Sequence, residues 1–287
     1  MIRSGDDKYI PQLKKLWIHC FPADTESFID FYFRKIYRNE ETLIWLEGEK
    51  PVASFQMIPY PLKNNGQIRL AGYISGAMTH PDFRAKGIMS RLLNHSFDVM
   101  RKKGYDFSFL IPQKEWLFDY YERFGYQKAF PVTSTKTCHP KQCFESGILR
   151  DKAIRIHTDA SGLDLADFFI VYSRFLIEEN PVVLKSKDQV SAFIDNFFDE
   201  KGVLFANDWG IAFCTKESKR VIIKEFFYFD PEIESHFLSA IENYFQTQEL
   251  LMQNYSASES AHYRGMIKDL NGLSEIPIDI YMSMMLD

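Results

Sequence analysis

The sequence predicts an α/β (α+β) protein built as two halves with a similar order of elements. Three observations predict it. Residues 69–102 read as a strand, a short basic loop and a helix, the unit from which mixed sheets are wound. The order helix, helix, three strands, helix, strand, closing strand occurs after residue 160 and echoes the first half. The chain's 287 residues are 46% hydrophobic and 25% charged, with no low-complexity run, which suits one large or two ordinary domains.

Residues 2–5 predict a short first strand. Over 8–19 the apolar set Ile10, Leu13, Leu16 and Trp17 has helical spacing. Thr25 is placed to cap a second helix whose apolar side carries Phe28, Ile29, Tyr32, Phe33 and Ile36. The aromatic residues there read as core or as the lining of a pocket. Residues 42–47 alternate as a strand, Gly48-Glu49-Lys50 turns, and 51–59 pairs back. Asn64-Asn65-Gly66 turns again into a long strand over 67–79. From Ser90 onward Leu92, Leu93, Phe97 and Met100 fall on one helical side, against Arg91, Asn94, Asp98, Arg101 and Lys102 on the other. Lys103-Gly104 ends that helix, 105–111 is a buried strand, a short helix carries Tyr121, and 126–132 is a last strand.

Residues 133–160 are rich in Thr, Ser, Lys, Gly and His and read as a joint. The expected division is 1–135, a linker over 136–160, and 161–287. In the second half, helices are expected over 164–179, 187–198 and 231–245, the first stopped by Asn180-Pro181. Strands are expected over 202–207, 210–215, 220–229, 250–255, 264–268 and 278–285. The junction Tyr228–Ser235 is acidic, with Asp230, Glu232 and Glu234.

Bulk properties exclude some functions. A net charge of −5 without a long basic stripe argues against nucleic acid and is compatible with an amine or cationic substrate. No stretch has the length and apolarity to span a membrane, and the first residues lack a signal-peptide core. Four cysteines, Cys20, Cys138, Cys143 and Cys214, form no disulfide framework, so a cytoplasmic location is expected. Cys138-His139-Pro140-Lys141-Gln142-Cys143 has too few ligands for a zinc site, and no metal is expected.

The chemistry concentrates at residues 76–93. A loop that enters a helix presents orphan backbone N–H groups together with the positive end of the helix dipole. Arg84 and Lys86 add charge, and Gly87 lets a ligand approach the backbone. A di- or polyphosphate is the natural guest. The loop has neither G-x-x-x-x-G-K-[ST] nor G-x-G-x-x-G, which sets aside nucleotide P-loops and dinucleotide fingerprints.

Arg84-x-x-Gly87-x-Met89 after a strand resembles the R/Q-x-x-G-x-G/A pyrophosphate loop of the GNAT N-acyltransferases. Tyr121-Glu122-Arg123-Phe124-Gly125-Tyr126 resembles that family's Y-x-x-x-G-F/Y helix end, at the right distance downstream. Met89 departs from the usual Gly or Ala and is similar to the Eis-like branch, in which a GNAT domain precedes a degenerate GNAT-like half. The resemblance implies two tandem GNAT-like domains, each a mixed, mostly antiparallel sheet flanked by helices. It implies acetyl-CoA as co-substrate, with its diphosphate on Arg84, Ala85, Lys86, Gly87, Ile88, Met89 and Ser90. Main chain at Ala77, Met78 and Thr79 would meet the pantetheine arm. Tyr121 would donate a proton to the departing thiolate, and the terminal carboxylate of Asp287 would take the amine proton. The second half would frame the acceptor cleft or mediate assembly, with a homo-oligomer open.

The function expected is therefore acyl-CoA-dependent N-acetyltransfer to a primary amine, on a small molecule or peptide, by direct attack. Two alternatives stand beside it: a non-catalytic acyl-CoA or amine binder, and a tandem-GNAT aminoacyl transferase, which the acidic charge opposes.

Overall fold

The computed structural model describes residues 1–137, 153–255, 261–273 and 276–285. The chain divides into two compact units, Met1–Phe130 with Tyr263–Ile280, and Pro131–His262 with Tyr281–Leu286.

The first unit runs β1 (Ile2–Ser4), α1 (Ile10–Cys20), α2 (Glu26–Lys35), β2 (Thr42–Glu47), β3 (Lys50–Asn64), β4 (Gln67–Thr79), α3 (Ile88–Lys102), β5 (Phe107–Leu110) and α4 (Trp116–Glu122). The helices form where the apolar periodicity falls. Thr25 Oγ accepts the Phe28 N–H at 3.2 Å and caps α2, satisfying an otherwise orphan donor. On α3, Leu92, Leu93, Phe97 and Met100 are buried while Arg91, Asn94 and Asp98 face solvent. The β3–β4 hairpin turns on Asn65 and Gly66, both at positive φ (48° and 75°), as a two-residue turn between right-twisted strands requires. β1, β2, β3 and β4 are antiparallel neighbours in that order. β5 joins β4 in parallel, which a hairpin cannot do, so α3 serves as the crossover.

β6 (Gln127–Thr137) leads into the second unit, followed by β7 (Arg155–His157), α5 (Leu165–Glu178), β8 (Val182–Val183), α6 (Lys187–Asp199), β9 (Val203–Asn207), β10 (Gly210–Glu217), β11 (Arg220–Tyr228), α7 (Pro231–Phe245) and β12 (Leu250–Asn254). Its sheet follows β7, β9, β10, β11, β12, β6, with only β11–β12 parallel. Ser186 and Gln189 form a reciprocal capping box on α6. The last strand, β13 (His262–Asp269), returns to the first unit and pairs antiparallel with β5, Ile267 opposite Phe109.

Each unit is thus a six-strand sheet with three antiparallel pairs, one parallel pair, then one antiparallel pair. The sixth strand is exchanged in sequence: β13, late in the chain, completes the first unit, and β6, ahead of the second unit, completes that one. This corrects two expectations. Residues 263–280 belong to the first unit rather than to a second half over 161–287. The strand expected over 126–132 runs on to Thr137, because Thr133–Thr137 find β12 as a partner. A third correction concerns residues 278–285, expected as a strand. Only Tyr281 makes a β-bridge, to Val182, while the Met284 N–H goes to the buried Glu225 carboxylate at 2.5 Å. Cys138 and Cys143, and most of the expected linker, lie outside the described residues.

Candidate active site

Two backbone features of β4 build the site. The β3–β4 register shifts by one residue: Ser54 faces Met78, but Gln56 faces Ser75, leaving two residues of β4 against one of β3. The extra residue falls at Gly76-Ala77, and Gly76 has φ +61°. A Cβ on Gly76 would lie 2.8 Å from the Trp17 ring, so glycine is required both by conformation and by space. The second feature is a parting of strands. β4 pairs with β5 only from Ala71–Phe107 to Tyr73–Phe109, whereas on its other edge β5 pairs with β13 through to Leu110–Met266. Residues 74–79 of β4 continue past the last pair, leaving a wedge with strand backbone on its side. Ala77, Met78 and Thr79 all lie in that length. Met78 packs its side chain into the α1–α2 cluster, and Ala77 packs toward the α3 side.

The wedge ends at the loop. His80 leads into a single 3₁₀ turn at Pro81–Phe83, Arg84 is extended, and Ala85 and Gly87 take positive φ of 59° and 71° before α3 begins at Ile88. No side chain caps α3 and no acid lies in its first turn. Among the described residues, the backbone N–H groups of residues 85–90 donate to no protein atom. Arg84, Ala85, Lys86 and Gly87 are exposed, Met89 and Ser90 half-buried, and Ile88 is anchored in the core. Arg84 Nε donates to the Thr79 carbonyl at 3.0 Å, and Lys86 Nζ sits 4.7 Å over the Phe83 ring. The loop is a set of unspent donors under a helix dipole, flanked by two cations.

Tyr121 lies on α4 and is buried, with its ring edge-on to Tyr120 (5.2 Å) and Tyr126 (5.8 Å). Its hydroxyl has no hydrogen-bond partner among the described residues. Burial, and then the neighbouring Tyr120, push its pKa above the ordinary 10.0. The proton is therefore held at neutral pH and available for donation. Tyr120 differs: its hydroxyl pairs with Ser90 Oγ at 3.3 Å. Asp287 lies outside the described residues.

Around the bulge, Trp17 packs at a tilt against Tyr32 (4.4 Å) and Phe21 (5.2 Å) and edge-on to Phe28 (6.4 Å). The two readings of this aromatic group divide by residue. Trp17 and Tyr32 are core, Tyr32 bonding to Ser75 Oγ at 2.8 Å and receiving Gln56 Nε2 at 2.7 Å. Phe21 and Phe28 are only half-buried, beside Asp24, which accepts Trp17 Nε1 at 2.7 Å. Sequence reasoning passed over Gly76 and Trp17 as a pair; a glycine inside an otherwise regular strand was the available signal.

Residues 1–129 match the acetyltransferase (GNAT) domain. That range holds the bulge, the loop and Tyr121. No curated protein matches the chain in sequence. Several solved structures share the fold at low identity. A probable N-acyltransferase from Enterococcus faecalis V583 aligns over 94% of this chain and 72% of its own, with TM-score 0.76 and 12% identity. A GCN5-related N-acetyltransferase from Kribbella flavida covers 93% and 70%, with TM-score 0.72 and 14% identity. Eis1 from Mycobacterium abscessus covers 94% and 74%, with TM-score 0.71 and 10% identity.

In the second unit, the strand-to-helix junction is chemically opposite. Asp230 caps α7 through the Glu232 N–H at 3.0 Å, and Tyr228 donates to Glu234 at 3.0 Å. Protein carboxylates occupy the place a phosphate would need. Among the described residues no cluster of three or more His, Cys, Asp or Glu could hold a metal, and no helix is long and apolar enough to cross a membrane.

Proposed function

We propose that the first unit transfers an acetyl group from acetyl-CoA to a primary amine by direct attack. The observation that carries this reading is the wedge between β4 and β5 opening onto unpartnered N–H groups at the start of α3. The diphosphate lies on residues 84–90, accepting backbone N–H bonds and facing Arg84 and Lys86. The pantetheine arm runs along residues 77–79, its amides meeting strand backbone. The amine lone pair attacks the thioester carbonyl carbon, the C–S bond breaks, and sulfur leaves as thiolate. Tyr121 gives that sulfur a hydrogen bond and its proton. Holding both reactants in line supplies much of the acceleration. Phe21, Phe28 and Asp24 lie on the acceptor side of the bulge, where a cationic amine meets aromatic faces and a carboxylate. Asp287 keeps the role of proton acceptor through the resemblance to the Eis-like branch, which the repeated sheet plan also favours. The acidic start of α7 gives the second unit no part in donor binding.

Calorimetry with acetyl-CoA tests the reading. The double variant Arg84→Glu/Gly87→Asp is expected to weaken binding about a hundredfold, ~3 kcal/mol, since charged hydrogen bonds are lost and repulsion is added. Unchanged affinity overturns it. A screen of amines for acetyl-CoA consumption then names the acceptor.

A further inference from the structure

Arg91, exposed in the first turn of α3, reaches back to the loop. Its guanidinium lies 4.8 Å over the Trp45 ring on β2. From there Nη2 donates to the Lys86 carbonyl at 3.0 Å. A Cβ built on Gly87 would sit 3.3 Å from Nη1, so the guanidinium lies directly against this turn. The peptide joining Lys86 to Gly87 is planar and trans, so its C=O and N–H point in opposite directions. Fixing the Lys86 carbonyl on Arg91 fixes the Gly87 N–H on the opposite side of the peptide, away from the guanidinium. Gly87 lies in the left-handed region without side-chain capping, and besides this brace it is tied to the helix by its own carbonyl, which accepts the Arg91 N–H at 3.1 Å.

We propose that Arg91, braced on Trp45, is a positioning residue that holds the Lys86–Gly87 peptide in the orientation that binds the donor's diphosphate. The proposal rests on the donor-binding reading above and goes beyond it, since Arg91 acts through the backbone and its charge is incidental. The guanidinium is needed for its shape: it is flat, so it stacks on indole, and it is a fork, so it reaches a carbonyl while stacked. A lysine has the same charge and neither property.

The test uses the full chain and coenzyme A as probe. Arg91→Met, Arg91→Lys and Trp45→Ala are each expected to weaken coenzyme A about tenfold, with kcat at saturating acetyl-CoA kept within about twofold. The double variant Arg91→Met/Trp45→Ala is expected to be no weaker than either single, because both remove one brace. In the protein without ligand, amide relaxation by NMR should show the Gly87 N–H loosened in all three variants. Recovery of affinity by Arg91→Lys overturns the proposal in favour of a direct charge on the phosphate. An unchanged Gly87 amide in Arg91→Met overturns it whether or not coenzyme A binds. Absence of coenzyme A binding by the unaltered protein overturns the donor-binding reading alone, and the amide measurement still decides on the brace. A matched melting temperature excludes general unfolding as the cause.

Discussion

Tyr121 and Tyr120 are adjacent, and their hydroxyls meet different fates: one is unpartnered among the described residues, the other is bonded to Ser90. In the proposed reaction that difference favours Tyr121 over Tyr120 as the proton donor. Tyr121→Phe is expected to lower kcat about a hundredfold while leaving the affinity for acetyl-CoA unchanged, measured by steady-state kinetics and calorimetry. A protein that only binds acyl-CoA has no rate to lose. The raised pKa sets the sign of the pH dependence. The folded protein holds the Tyr121 proton more tightly than the unfolded chain, so its contribution is complete below pH 10.0 and is lost only as pH rises through the higher folded value. The alkaline limb of kcat below pH 10 should therefore be unchanged in shape by Tyr121→Phe. At this scale the sequence was most legible where chemistry is local: Arg84, Gly87 and Tyr121 stand in short motifs whose residue types follow from the ligand. Periodicity puts Arg91 on the polar side of α3 and nothing local announces its partner Trp45, which lies on a strand 46 positions away.

The elements repeat that contrast. Helix faces, the Thr25 cap and both hairpin turns follow from periodicity and turn chemistry, and they fall where the sequence puts them. The β4 bulge does not follow, because a one-residue register shift depends on what packs behind it. Here that is Trp17, itself braced by Tyr32, Phe21 and Phe28. Gly76→Ala puts a methyl into the indole and strains a left-handed backbone. It is expected to destabilise the protein by about 1–3 kcal/mol, read by urea unfolding. Because the bulge aims residues 77–79 into the wedge, acetyl-CoA affinity should fall as well. A variant as stable and as tight as the original would show that the bulge is dispensable. Trp17→Phe relieves the contact and should recover part of the loss in the double variant, since the two positions share one space.

For the whole molecule, the exchange of sixth strands is the feature no local pattern announces. A strand's periodicity fixes which face it buries and leaves its neighbour open. β13 reads as a second-half strand and is the outer partner of β5, whose Phe107, Phe109 and Leu110 are buried. Without β13 the first unit keeps every residue of the proposed donor site but exposes the backbone edge of a short, apolar strand. A chain ending at residue 135 is therefore expected to aggregate or to bind acetyl-CoA poorly, although it contains the full matched range 1–129. Residues 261–280 joined after residue 130 through a flexible Gly/Ser linker supply the missing strand. That re-tied chain is expected to fold alone, by circular dichroism and sedimentation, and to recover donor affinity. If the chain ending at residue 135 binds as tightly as the full protein, β13 contributes nothing to the wedge, and the parting of β4 from β5 must be held by α3 and α4 alone.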